Sequence, residues 1–217
     1  MSRTELLCLA NSWKLGGRCF AGLANDGSWV RPVTDTSTGT LPNSACVLNT
    51  GRVVEALDVV KLKLKRPEPR LYQPENWVVG NKEWHYVKTQ TLGDVGQLLD
   101  SVRADDSPIF GTRTDSVSWQ RIQESPPAAS LTLIRTSNPH FYVRRKPNGS
   151  NQTRVKFVHG DSVYDLSISF ELALPHNDTG SNESPTDWYL TISLGEPFEE
   201  QHNRCYKLVA GALEIPR

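Results

Sequence analysis

Residues 4–33 read TELLCLANSWKLGGRCFAGLANDGSWVRPV, and their periodicity is two, not 3.6. Thr4–Ala10 is apolar enough for a buried strand, and Arg18–Leu23 and Trp29–Val33 give two more. Ala24-Asn25-Asp26-Gly27-Ser28 joins the last two, and Asn-Asp-Gly tolerates the positive φ of a tight hairpin turn. Gly16-Gly17 separates the first two, either as a plain tight turn or as a place where backbone approaches a phosphate closely. Further on, Val59-Val60-Lys61-Leu62-Lys63-Leu64-Lys65 alternates apolar and basic residues, the pattern of a half-buried strand with its lysines in solvent; Pro67 and Pro69 end it.

Leu92–Arg103 is the most helix-like stretch, with Leu92, Val95, Leu98, Leu99 and Val102 on one face and Gly93 and Gly96 weakening it. Residues 104–129 are polar and contain Ser125-Pro126-Pro127, a linker signal. Strands resume at 130–135, 141–145, 153–159, 163–170, 188–194 and 205–214, with turns at Asn148-Gly149 and His159-Gly160-Asp161; residues 176–185 read as a loop tip. The expected fold is all-β with one short helical segment: two small antiparallel barrels in tandem, residues 1–127 and 128–217, each about the size of an OB-fold barrel.

The chain has 217 residues and no apolar run long enough for a membrane-spanning helix, and its first twenty residues lack a signal-peptide layout. Cys8, Cys19, Cys46 and Cys205 are widely spaced and read as inert core thiols of a cytoplasmic protein, without metal or cofactor. Cys8 and Cys19, on strands able to pair, are the one cue toward a scattered zinc site. No P-loop, GxSxG or HExxH is present, and Asp105-Asp106 and Glu199-Glu200 read as solvated charge, so no enzymatic activity is expected. The 24 basic and 24 acidic residues cancel, which taken alone argues against a polyanion partner. Along the chain the balance breaks into blocks: residues 61–88 have a surplus of four cations, and 128–159 hold six cations and no carboxylate. Residues 160–217 have ten acidic side chains against three basic. Folded, such blocks either interleave and cancel or form faces of opposite sign.

Several motifs, taken in order, resemble the dual-OB domain family of bacterial proteins. They are Asn11-Ser12-Trp13-Lys14, Gly16-Gly17-Arg18-Cys19, Trp29-Val30-Arg31-Pro32-Val33, Tyr72-Gln73-Pro74-Glu75-Asn76-Trp77, Ser193-Leu194-Gly195-Glu196-Pro197-Phe198 and Cys205-Tyr206-Lys207-Leu208. They run almost end to end. The resemblance implies tandem OB-like barrels and a nucleic-acid-binding role, often in prokaryotic defence or conflict systems.

Candidate contacts to nucleic acid fall in four groups. Trp13, Lys14 and Arg18 offer a stacking plane and charge around the glycine pair. Trp29 and Arg31 share one strand face; facing outward they would stack and contact a strand, and otherwise Trp29 is core and Arg31 pairs with a carboxylate. Lys61, Lys63 and Lys65 line one strand, and Tyr72, Asn76 and Trp77 either read bases or plug a barrel end. Tyr142, Arg144, Arg145, Lys146, Arg154 and Lys156 make an aromatic and basic hairpin suited to tracking phosphates. Single-stranded or structured nucleic acid is the expected partner. Two rival readings remain: an adaptor docking a protein through the acidic C-terminal segment, and a modified-base reader with a pocket at Tyr72, Asn76 and Trp77.

Overall fold

The computed structural model describes residues 3–14, 16–80, 84–172, 182–183, 186–198 and 203–215. The chain divides into two compact units, Met1–Val102 and Arg103–Arg217. Glu199-Glu200 and most of 176–185 lie outside the described residues.

The first unit is a closed barrel. Its strands are β1 (Arg3–Lys14), β2 (Gly17–Leu23), β3 (Trp29–Val33), β4 (Asp58–Pro67) and β5 (Asn76–Val79), hydrogen-bonded in the order β1-β2-β3-β5-β4 and back to β1. A long bent β1 makes closure possible: Arg3–Leu7 pair with β4, Leu7–Lys14 pair with β2, and the register slips between Cys8 and Ala10. β3 and β5 run parallel, Arg31 opposite Asn76. The β2–β3 turn forms as its sequence predicts, with Gly27 at φ +79° and the Asp26 carboxylate accepting from Ser28 N and Oγ. Leu6, Cys8, Phe20, Val30, Val60, Leu62 and Trp84 fill the interior, Phe20 meeting Trp84 edge to face at 4.9 Å. β6 (His85–Thr89) adds to β4, and α1 (Leu92–Val102) buries Val95 and Leu99, two residues of its predicted face.

The second unit repeats the strand order with one break. It contains β7 (Ser116–Ser118), α2 (Trp119–Glu124), β8 (Leu131–Ser137), β9 (His140–Arg145), β10 (Asn151–His159), β11 (Ser162–Ile168), β12 (Asn182–Glu183), β13 (Asp187–Phe198) and β14 (Arg204–Ile215). The sheet runs β9-β10-β11-β14-β13-β8, with β11 and β14 parallel. If β8 and β9 are counted as one strand, this is the cyclic order of the first barrel. Asn138, at φ +51°, and Pro139 break that strand, so β8 pairs with β13 and β9 with β10. Thr136 Oγ1 donates to Val158 O at 2.9 Å, tying β8 to β10.

These are the tandem OB-like barrels expected from the sequence, with three differences of detail. Residues 103–127 belong to the second unit, not to the first as expected. Ala104 N donates to Leu133 O, β7 pairs with β14, and α2 starts at Ser118, whose Oγ accepts from Arg121 N. Residues 76–79, not among the expected strands, form β5. Short β6 and β7 were not expected.

Candidate nucleic-acid interface

In an OB barrel the second and third strands, with the loops between strands one and two and between four and five, make the surface that takes oligonucleotides. In the first barrel that surface comprises β2, β3, Gly16 and residues 68–75; in the second, β10, β11 and residues 146–150 are its described part. Most of the candidate residues fall on or beside it, in very different states.

In the first barrel Trp13 and Arg18 sit opposite each other across β1 and β2. The Arg18 guanidinium lies 3.8 Å above the indole centroid, a cation–π stack, and Trp13 keeps 38% of its surface exposed. Arg18 Nε is buried and has no hydrogen-bond partner among the described residues. Lys14 is half-buried beside them. The backbone approaching Gly17 belongs to the chain itself: a Cβ there would lie 2.7 Å from Leu41 O, and Arg18 N donates to that carbonyl. Gly17 is therefore a packing requirement of residues 40–41, while Gly16 serves the turn through its φ of +77°.

Arg31 does not face solvent. It is 6% exposed and its Nε donates to Glu75 Oε1 at 3.1 Å. This is the carboxylate pairing weighed above, supplied by a residue 44 positions away. Asn76 is also buried, Nδ2 donating to Gln73 Oε1, while Arg70 holds Tyr72 through its hydroxyl. Tyr72 and Asn76 thus support the loop's structure, and neither lines the cavity that Trp77 shares with Trp29. On β4, Lys61 pairs with Glu5 at 3.1 Å. Lys63 and Lys65 form no ion pair among the described residues.

The second barrel presents the opposite case. Arg144, Arg145 and Lys156 are exposed, Lys146 is half-buried, and none of the four forms an ion pair among the described residues. Arg144 donates to Gln152 Oε1. Arg154 differs: 8% exposed, it donates through Nε to Asp165 Oδ1 at 2.8 Å, through Nη2 to Asp165 O and through Nη1 to Gln152. Tyr142 OH donates to Asp165 Oδ2 at 2.6 Å. Burial raises the Asp165 carboxyl, but the bonds from Tyr142 and Arg154 outweigh it and hold the group below the ordinary range. Arg154 and Tyr142 therefore brace the hairpin from which the other four cations project. Beside them, Val158 and Val163 pair across β10 and β11, each 57% exposed.

The sequence reading did not single out Asp165 or Lys207. Lys207 is 2% exposed, and its Nζ donates to Thr112 O and Thr114 O at 2.7 Å each, 4.9 Å from the Tyr164 ring centroid. Burial pulls its ammonium down to about 7, against the opposing field of Asp115. Strict alternation with Cys205 and Val209 already places Lys207 on the inward face.

Buried Cys8, Cys46 and Cys205 are pushed toward the neutral thiol by desolvation, Cys46 to about 12 and Cys205 to about 11. β1 and β2 do pair, but Cys8 lies opposite Gly22 and Cys19 opposite Ser12. Among the described residues no group of three or more His, Cys, Asp or Glu gathers as a metal site would require, and no helix is long and apolar enough to cross a membrane.

The family described as a dual OB-containing domain matches residues 4–212. No curated protein matches. Among solved structures, the tetrameric p202 HIN2 is similar at 9% identity and a TM-score of 0.32, over 99% of this chain and 92% of that one.

Proposed function

The chain belongs to the dual OB-containing domain family, and from that premise we propose that it is a nucleic-acid-binding module that catalyses no reaction. The observation carrying this reading is the β9–β10 hairpin. Lys146 and Lys156 on the OB binding surface, and Arg144 and Arg145 beside it at the end of β9, have no carboxylate paired to them among the described residues. Cations left unpaired on one hairpin are the arrangement that binds phosphates by releasing condensed counterions. In the first barrel, Trp13 with Arg18 stacked on it offers a plane for an unpaired base, worth about 1–3 kcal/mol per stacked base. A stacking plane in one barrel and unpaired cations in the other each favour single-stranded or structured nucleic acid over reading a duplex groove. Service in a prokaryotic defence or conflict system is the setting that the family suggests for this activity.

The test is Arg144→Ala with Arg145→Ala. Both side chains are exposed, so the double variant keeps the wild-type melting temperature. Its affinity for a fluorescent single-stranded oligonucleotide falls by tenfold or more, since each lost contact to a charged group is worth about 1.5 kcal/mol or more. Unchanged affinity in a folded double variant overturns the proposal. If the purified wild type neither carries 260 nm absorbance nor binds the oligonucleotide in low salt, the protein-adaptor reading takes its place.

A further inference from the structure

One end of the first barrel opens into a cavity of about 570 Å³, within the roughly 300–1,000 Å³ range of small-molecule sites. Trp29 enters from the start of β3 and Trp77 from β5, Lys65 stands at the rim, and the hydroxyl residues Thr4 and Ser28 lie beside buried Val30. The two indoles and the ammonium have their chemistry to spare, while the Ser28 hydroxyl already donates to Asp26 and offers a ligand its acceptor lone pairs. Among the described residues neither indole meets another aromatic ring or makes a side-chain hydrogen bond. Lys65 is exposed and forms no ion pair. Elsewhere in this barrel Arg31 is held by Glu75 and Lys61 by Glu5, and the Arg18 guanidinium covers one face of the Trp13 indole.

We infer that this cavity is a nucleotide site: the Trp29 and Trp77 indoles hold a nucleobase, Ser28 and Thr4 meet its polar edge, and Lys65 meets the phosphate. Indole faces bind any base, because every base has a π face. A lone ammonium beside an apolar, aromatic cavity selects a ring that carries an anion over a neutral one. Lys63, two residues earlier on β4, also forms no ion pair among the described residues, so a strand leaving the cavity along β4 meets a second cation. The ligand chemistry is a base with its phosphate, whether as a free mononucleotide or as one nucleotide of a strand. The inference rests on the nucleic-acid reading above but uses other residues, so the two can fail separately.

The experiment follows the indole N–H resonances of the full chain by NMR during titration with AMP, adenosine and a short single-stranded oligonucleotide. Trp29→Leu and Trp77→Leu assign the two signals, and fully buried Trp84 serves as the internal control. The signals of Trp29 and Trp77 are expected to shift saturably with AMP while Trp84 stays in place. Lys65→Glu, on an exposed side chain that cannot unfold the barrel, weakens AMP by about tenfold or more and leaves adenosine unchanged. Saturation by AMP identifies a free mononucleotide as sufficient, and saturation by the oligonucleotide alone identifies the strand. If the oligonucleotide binds while both indole signals stay still, the cavity inference is overturned and the hairpin reading survives. If AMP binds and Arg144→Ala with Arg145→Ala leaves oligonucleotide affinity intact, the hairpin reading falls and the cavity stands. Equal AMP affinity in wild type and Lys65→Glu removes the phosphate contact and overturns the inference as stated.

Discussion

The two barrels follow one cyclic strand order, and each pairs several of its cations. What differs is the binding surface, where Arg31 of the first barrel is buried against a carboxylate and the hairpin of the second carries four cations with no ion pair among the described residues. In the first, Arg31 is held by Glu75, Arg52 by Asp58, Lys61 by Glu5 and Arg66 by Asp35 and Glu68. In the second, Arg154 is held by Asp165, while Arg144, Arg145, Lys146 and Lys156 project from the same hairpin without an ion pair among the described residues. Alternation along a strand decides which face a basic residue takes. Whether that residue is available to a ligand depends on carboxylates delivered by other elements. Residues 128–159 contain none, so a carboxylate must come to the hairpin from another element; Asp165 on neighbouring β11 is one, and two side chains already claim it.

This contrast is sharpest for Arg31 and Arg144. Arg31→Ala leaves Glu75 buried without its cation and costs about 3–5 kcal/mol, read as a lower urea midpoint. Arg31→Met with Glu75→Gln recovers much of that loss. Arg144→Ala changes stability by less than about 0.5 kcal/mol, as an exposed substitution should. A large stability loss from Arg144→Ala would erase the distinction between a braced cation and a projecting one.

Lys207 gives an intermediate effect. Its ammonium, near 7 in the folded state, lies below the ordinary lysine value of 10.5. Between those values the unfolded chain binds more protons, so stability rises with pH from about 7 to about 10 and is lowest where both states are protonated. Lys207→Met flattens that rise in urea unfolding followed across the pH range. A wild-type stability falling over the same interval would refute this account of the buried amine. A small effect is also expected on β4: Lys61→Ala removes a half-exposed ion pair and costs less than about 1 kcal/mol in thermal melting.

Much of the fold is legible in local pattern. The strands at 4–10, 18–23, 29–33 and 59–65, the Asn-Asp-Gly turn and the helix at 92–102 all follow from alternation, turn chemistry or periodicity. The strand that closes the first barrel is not legible that way. Asn76–Val79 is four residues long, follows prolines, and becomes a strand only through parallel pairing with distant β3. Residues 103–127 look like a linker because their polar composition hides pairing to β8 and β14. Of the candidate site, the basic hairpin is visible as a block of charge without acid. The burial of Arg31 and Arg154 is not, because each depends on a partner supplied by another element. Lys207 could have been read, since it shares the inward parity of Cys205 and Val209.

The most direct test of the central claim is the salt dependence of single-stranded oligonucleotide binding, measured by anisotropy. The unpaired cations predict that log K falls linearly with log salt concentration, with a slope of about −0.7 per phosphate contacted. Arg144→Ala with Arg145→Ala should make that slope shallower by roughly 1.4. A wild-type affinity independent of salt, or a slope unaltered in the double variant, would contradict the claim that this hairpin is where the protein holds nucleic acid.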